Sequence, residues 1–227
     1  MSATDNAIEA LAANASGTVL ALDDIALADG RDITKIIYTL SSGSGKKRMN
    51  QAAILKPSYS WSTFIIISGE KSLEEKIKGD GGVWQAGMAV RIADIDVTNV
   101  NDKVARETMD TVGLAFENFG HAGPLFIEAL IKQEFHKKSE ELRERINKSA
   151  KNIALRQESQ RVRAALPFAI MQIAGDLAKE FGILPSETPV RAAVLWAWEQ
   201  FINSSEAFSL NISEQIIENI RHWIAER

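Results

Sequence analysis

The chain has 227 residues, a formal net charge of −4 and no cysteine; that length supports one large domain or two small ones, each with a proper core. The mild negative charge excludes a surface that attracts nucleic acid as a whole, so any such contact needs a local basic patch. The lack of cysteine excludes disulfides, zinc–thiolate sites and thiol catalysis, and it fits a reducing cytoplasm.

The three histidines, His121, His136 and His222, lie far apart in three different contexts, which argues against a histidine metal cluster. No apolar run reaches membrane-spanning length and the start lacks a signal-peptide pattern, so no membrane partner is expected.

In chain order, residues 3–15 read as a helix, with Thr4 or Asp5 as cap and Ile8, Leu11 and Ala12 on one face. Residues 14–17 are a turn, and 18–23 are a strand of β-forming residues that ends in Asp23 and Asp24. Charged groups at the edge of a core need a partner, and a metal ion or a polarised water are the usual ones. In open α/β sheets ligands sit just past the carboxyl ends of strands. Asp23 and Asp24 are therefore candidates for chemistry; the alternative is an ordinary strand followed by a polar turn.

Residues 31–40 form a second helix, with Ile33, Ile36, Ile37 and Leu40 at helical spacing. Ser41 to Arg48 imitates a phosphate loop, but the spacing is wrong. Leu40 occupies the place of the first glycine, and Lys47 stands where Ser or Thr is needed. A mobile basic loop fits better, with Lys46, Lys47 and Arg48 on a glycine–serine stem. Such a loop suits nucleic-acid phosphates or is simply a solvated face.

Residues 63–68 are the next strand. Its continuous run, Phe64-Ile65-Ile66-Ile67, implies burial on both faces, as in a parallel sheet, and it ends in Ser68. A short helix follows over 72–78, then a glycine-rich loop over 79–87. Residues 88–95 read as a third strand, interrupted by Arg91 and Asp94. An arginine there either pairs with an acid or reaches a ligand.

Beyond about residue 100 only helical signals remain. A weak helix or loop covers 101–116, and a long amphipathic helix covers about 125–155. Another helix covers 158–181, with a kink or new start at Pro167. After a loop between Pro185 and Pro189, an apolar helix over 190–203 carries Trp196 and Trp198 as core residues. An amphipathic helix over 213–225, capped by Ser213, closes the chain.

Laid out in this order, the chain resembles the domain-of-unknown-function 927 family. The matches are Leu20-Ala21-Leu22-Asp23-Asp24-Ile25, Gly43-Ser44-Gly45-Lys46-Lys47-Arg48, Ile67-Ser68-Gly69-Glu70 and the segment from Gly87 to Ile95. Further along come the segment from Phe119 to Phe126, Ala174-Gly175-Asp176-Leu177-Ala178, and the tryptophan helix after Pro189. They run nearly end to end in the family's order.

Proteins of that family occur in phages, integrative elements and resistance islands. They look like ATPases of the AAA+ helicase type, related to MCM-like and superfamily 3 helicases. The resemblance implies an α/β fold, a partial P-loop NTPase parallel sheet over residues 1–100, and an all-helical lid domain over 101–227. It implies a ring-forming homo-oligomer that translocates DNA, with ATP and Mg²⁺ as cofactors.

It also assigns roles. Asp23 is the Walker B acid that holds Mg²⁺ through water, and Asp24 stands where most relatives of this type carry a water-polarising glutamate. Ser68 takes the sensor 1 position, and Arg91 is an arginine finger acting on the neighbouring subunit's nucleotide. Lys46, Lys47 and Arg48 fall where such helicases carry a DNA-contacting hairpin. Arg161 or Arg163 is sensor 2, although Leu166 and Pro167 stand before Phe168 where the pattern has basic residues.

The largest departure is the lack of a phosphate-binding loop. The resemblance thus implies the C-terminal portion of a longer protein, which alone does not hold ATP tightly. It further implies that the strand beside the sensor 1 strand is missing, leaving a sheet edge open to oligomerisation. The alternative function is a non-catalytic DNA- or protein-binding module, and a purely structural fragment is a third.

Overall fold

The computed structural model describes residues 5–23, 30–46, 58–101, 106–155, 159–207, 210, 216–217, 220–221 and 223–224. The chain forms two compact units, Met1–Asp94 and Ile95–Arg227. The whole is a mixed α/β protein, mostly helical, with a small parallel sheet.

In the first unit, helix α1 (Asp5–Asn14) leads through a turn to strand β1 (Val19–Leu22). The expected cap at Thr4 and the Asp5 side chain lie outside the described residues. Helix α2 (Gly30–Ser42) precedes strand β2 (Phe64–Ile67), which pairs in parallel with β1, Leu22 opposite Ile67. One face of the sheet is covered. Leu20 joins Ile8, Ala12, Ile36, Leu40 and Trp61 in a single core, with Leu22 and Ile65 packed against it. The other face is open among the described residues: Ile66 is 54% exposed and Val19 is exposed as well. The expectation of a strand buried on both faces is therefore corrected. Its continuous apolar run reflects β-propensity as much as burial.

Helix α2 has a second apolar side. Ile33 and Ile37 pack with Leu73, Ile77 and Met88, which come from helix α3 (Leu73–Gly79) and the single turn α4 (Ala86–Ala89). The contact between α2 and α3 is close. A Cβ on Gly30 would stand 2.9 Å from the Cα of Ile77, and the Gly30 N–H donates to Asp80 Oδ2 at 2.8 Å. Asp80 thus satisfies an orphan donor at the start of α2 from a neighbouring element. Helix α3 is capped by Ser72, whose Oγ accepts from the Glu75 N–H at 3.1 Å, and by Asp94, whose Oδ2 accepts from the Leu73 N–H at 2.7 Å.

Residues 88–95 are not a strand. The Arg91 and Ile92 amides both donate to the Met88 carbonyl, at 2.8 and 3.0 Å. The adjacent residues Met88 and Ala89 are both buried, with Ile92 packed on the same core. Apolar residues at i, i+1 and i+4 fit one side of a helical turn and cannot share one face of a strand.

The second unit contains only helices among its described residues. Short helices α5 (Thr98–Asn101) and α6 (Arg106–Gly113) come first. The expected long helix is broken into α7 (Ala122–Lys132) and α8 (Ser139–Ile153). Glu134 between them is left-handed, with φ 56°, and the displaced Phe135 meets the Phe181 ring edge-on at 6.0 Å. The expected restart at Pro167 is present: α9 (Ser159–Ala164) ends before it and α10 (Leu166–Glu180) begins with it in the first turn, where its missing N–H costs nothing.

Helices α10 and α11 (Val190–Ile202) carry the aromatic core. Phe168 lies 5.3 Å from Trp198 and 6.0 Å from Phe201, ring centre to ring centre. Trp198 is buried as expected, whereas Trp196 is 38% exposed on the far side of its helix. Two residues along a helix turn about 200°, so the pair cannot both face one core. Ser213 and most of the expected helix over 213–225 lie outside the described residues.

Candidate functional site

The parallel register of β1 and β2 decides the position of two polar groups. Leu22 and Ile67 are partners at the last rung, so Asp23 and Ser68 both lie one residue past the carboxyl ends of adjacent strands. The Ser68 N–H donates to the Leu22 carbonyl at 3.1 Å, extending the ladder by one bond. The Ser68 hydroxyl donates to Asp23 Oδ1. Both side chains are exposed. A carboxylate held by one hydroxyl keeps its remaining lone pairs for a further donor, such as a metal-bound water. Asp24 lies outside the described residues.

Among the described residues no group of three or more His, Cys, Asp or Glu side chains is placed to hold a metal ion directly. The described donors at Asp23 are one carboxylate and one hydroxyl, and a hydrated cation such as Mg²⁺ is the kind commonly met by one or two carboxylates.

Arg91 is exposed at the surface of the same unit. Its guanidinium lies over the Tyr38 ring at 5.0 Å and donates to the Gly87 carbonyl. Tyr38 in turn donates its hydroxyl to Gln85 Oε1 at 2.9 Å. Gly87 is enclosed by this group, since a Cβ there would stand 3.1 Å from the tyrosine oxygen and 3.3 Å from Arg91 Nη1. The arginine is thus held against its own unit by a cation–π contact and one hydrogen bond, with the rest of its fork of donors facing outward. Asp94, the other charge in that run, serves as the cap of α3.

The glycine–serine segment is tied down over its described part. Gly43 follows the end of α2 at φ 70°, the left-handed position that ends many helices. Ser44 and Ser60 form an antiparallel bridge. The Gly45 N–H donates to the Tyr59 carbonyl at 2.8 Å, and the Trp61 N–H to the Gly43 carbonyl at 2.9 Å. The Trp61 indole N–H donates to the Leu40 carbonyl at 2.9 Å. Both glycines of the phosphate-loop look-alike thus have backbone roles. The expected mobility does not hold for residues 43–46; Lys47 and Arg48 lie outside the described residues.

Glu9 of α1 is a residue that sequence reasoning does not single out. It is 0% exposed, and its Oε1 accepts from the Lys46 N–H at 3.3 Å. An acid in a short amphipathic helix reads as a solvent-facing residue, and no local signal distinguishes this one. Tyr38 and Gln85 are equally hidden, because the bond that ties them to each other beside Arg91 spans 47 residues.

In the second unit, Arg161 and Arg163 sit in α9. Arg161 is partly buried and Arg163 exposed. Gly175, in the Ala174–Ala178 match, is a packing residue. A Cβ there would stand 2.5 Å from Val190 Cγ1, so α10 and α11 meet at its bare backbone.

No helix among the described residues is long and apolar enough to cross a membrane. The family model described as "Domain of unknown function (DUF927)" matches residues 1–59. That match takes in Asp23, Asp24 and the basic run from Lys46 to Arg48, and it stops before Ser68 and Arg91. No curated protein sequence and no solved structure matches the chain.

Proposed function

We propose that this chain carries the acidic half of a Mg²⁺–nucleotide site in a ring-forming, DNA-translocating ATPase of the AAA+ helicase type. The observation that carries the reading is the Asp23–Ser68 hydrogen bond past the carboxyl ends of two adjacent parallel strands. That is the crevice where open α/β sheets bind ligands. The match over residues 1–59 is to the family that the sequence resembles, and the ATPase reading itself is taken from that resemblance.

Each residue then has a task. Asp23 holds a water of the hydrated cation, and Ser68 fixes the rotamer of Asp23. With its proton given to Asp23, the hydroxyl oxygen can still accept from the attacking water; to orient a phosphate oxygen it would have to turn its proton away from Asp23. Asp24 takes the proton of that water. Arg91, released from the Tyr38 ring, reaches the nucleotide of the adjoining subunit, and Arg161 or Arg163 serves the phosphates from the helical unit. Mg·ATP would supply the reactive phosphoryl group, and its Mg²⁺ the positive charge that the carboxylates face. These 227 residues contain no Gly-x-x-x-x-Gly-Lys-Ser/Thr loop, so the phosphate cradle comes from another segment or subunit.

The test is nucleotide turnover by a longer product of the same reading frame that includes such a loop. Asp23→Ala and Arg91→Ala should each lower kcat by at least about a hundredfold, the order of effect seen when a charge-stabilising group is removed. Unchanged turnover in both variants would sink the assignment. The 227-residue chain alone should show no saturable Mg·ATP heat in calorimetry at micromolar concentrations.

The second reading is a non-catalytic DNA-binding module. The exposed, stem-held Lys46 favours it, since backbone-held cations suit phosphate contacts.

A further inference from the structure

A fully buried carboxylate is costly unless its oxygens are satisfied. Glu9 belongs to α1, beside Ile8 and Ala12 of the sheet core, and its Oε1 accepts from the backbone of Lys46. Its other oxygen lies against Gly45 so closely that a Cβ there would stand 2.7 Å from Oε2 and 3.2 Å from the carboxyl carbon. The two positions are thus fitted to each other: the acid reaches the Lys46 amide only because residue 45 has no side chain.

From the other side, the bonds of Gly43 and Gly45 to Trp61 and Tyr59 hold the same residues. The segment is gripped between α1 and residues 59–61, and the chain's run of three basic residues starts at the end of that grip.

We propose that Glu9 is a positioning residue for nucleic-acid binding. Wedged against Gly45, it sets where Lys46 leaves the protein surface, and so where Lys46 meets a phosphate backbone. This rests on the reading that Lys46, Lys47 and Arg48 contact nucleic acid. A negative charge close to a phosphate-binding segment would ordinarily weaken binding; here it is buried and bonded to main chain, so its effect is on geometry. The glycine at 45 thereby has a reason that owes nothing to a nucleotide cradle.

The test uses the 227-residue chain and a fluorescein-labelled single-stranded oligonucleotide, followed by anisotropy over a range of salt. Replacing Lys46, Lys47 and Arg48 together with alanine should flatten the log–log salt slope by roughly two units, since each neutralised phosphate of a single strand contributes about 0.7. Glu9→Ala and Gly45→Ala should each weaken binding by about five- to tenfold. Each should also flatten the slope by about 0.7, as when a single phosphate is no longer met by a cation. Glu9→Gln keeps an acceptor of the same reach and should bind within about threefold of the parent, given the weaker neutral hydrogen bond.

The double variant Glu9→Ala/Gly45→Ala removes the collision that Gly45→Ala creates, so it should bind no worse than Gly45→Ala alone. Two independent structural lesions would add instead. Hydrogen exchange at the Lys46 amide should speed up in Glu9→Ala while the amides of α1 stay protected, which separates a local release from unfolding.

Additive losses in the double variant, or an unchanged Lys46 amide in Glu9→Ala, would overturn the role of Glu9 while leaving the basic run as the binding segment. Full binding by the triple alanine variant would instead overturn the nucleic-acid reading, and the positioning role with it, even if exchange at Lys46 still depends on Glu9.

Discussion

The two units of this chain rely on polar joints and on shape to different degrees. In Met1–Asp94, charged and hydroxyl side chains sit at the points where backbone direction changes. Asp80 meets the start of α2, Asp94 the start of α3, Glu9 the exit from α2, and Ser68 meets Asp23 at the strand ends. In Ile95–Arg227 polar joints occur as well, with Asp96 at the start of α5 and Lys179 on the Thr188 carbonyl, but the contact between α10 and α11 rests on shape. Phe168, Trp198 and Phe201 meet in one cluster, Phe168 stacked on Phe201 and edge-on to Trp198, and Gly175 admits Val190. The difference bears on how motifs are read. A short match in the first unit has polar geometry to account for, whereas Gly175 and Trp198 in the second are accounted for by packing.

The sharpest way to break this comparison is to fill the contact at Gly175. Gly175→Ala would put a methyl group 2.5 Å from Val190 Cγ1. Overpacking of this kind costs about 1–3 kcal/mol, more than the ~1 kcal/mol that alanine gains over glycine in a helix. Urea unfolding should show a net loss of stability, and Val190→Ala in the same chain should restore most of it. A stabilised single variant would mean that Gly175 is not there for packing, and its motif would need another explanation.

Much of this architecture was legible because periodicity reports burial. Ile33, Ile36, Ile37 and Leu40 are spaced for a helix and all four are buried. β2 is marked by its isoleucine run and β1 by a short apolar stretch between a turn and Asp23, and their pairing brings Asp23 beside Ser68. What was illegible depends on distant partners. No glycine or proline marks the break at Glu134; it goes with an edge-on contact between Phe135 and Phe181. The short apolar run at 88–95 fits a strand or a helical turn equally by pattern, and the core formed by Ile33, Ile37, Leu73 and Ile77 selects the turn. Glu9 and Gly45 are separated by 36 positions and define each other only in space.

A smaller effect should come from Asp80, the polar joint between α2 and α3. The hydrogen bond from Lys76, followed by that from the Gly30 N–H, holds its carboxyl below the usual carboxylate range. A lowered folded-state value means that the contribution to stability is present above the unfolded pKa of about 4. It is lost as pH falls through the folded value. Asp80→Asn should therefore unfold at lower urea than the parent at pH 7, and the gap should be narrower at a second pH below the unfolded pKa of about 4. Lys76 lies 2.9 Å away at a partly exposed site, so part of the pH 7 gap should also shrink in salt. A gap that stays the same at both pH values would show that Asp80 acts through shape, as the contact between α10 and α11 does.

The smallest expected effect on stability is at Asp23, and that is what distinguishes it from the other acids. Asp80 and Asp94 accept from backbone donors at helix starts, and Glu9 is buried; each has a structural reason to be acidic. Asp23 is exposed and is bonded to a side-chain hydroxyl that is itself exposed. Asp23→Asn keeps an acceptor for Ser68, and as a surface change it should shift unfolding by no more than about 0.5 kcal/mol. A clear destabilisation would place Asp23 with the structural acids. If stability holds while nucleotide turnover in the longer product is lost, the carboxylate serves a charge that folding does not require. Of these four acids, Asp23 is the one that combines an exposed strand-end position with a hydroxyl partner in place of a backbone donor, so the pair of measurements on this single substitution separates a site from a joint.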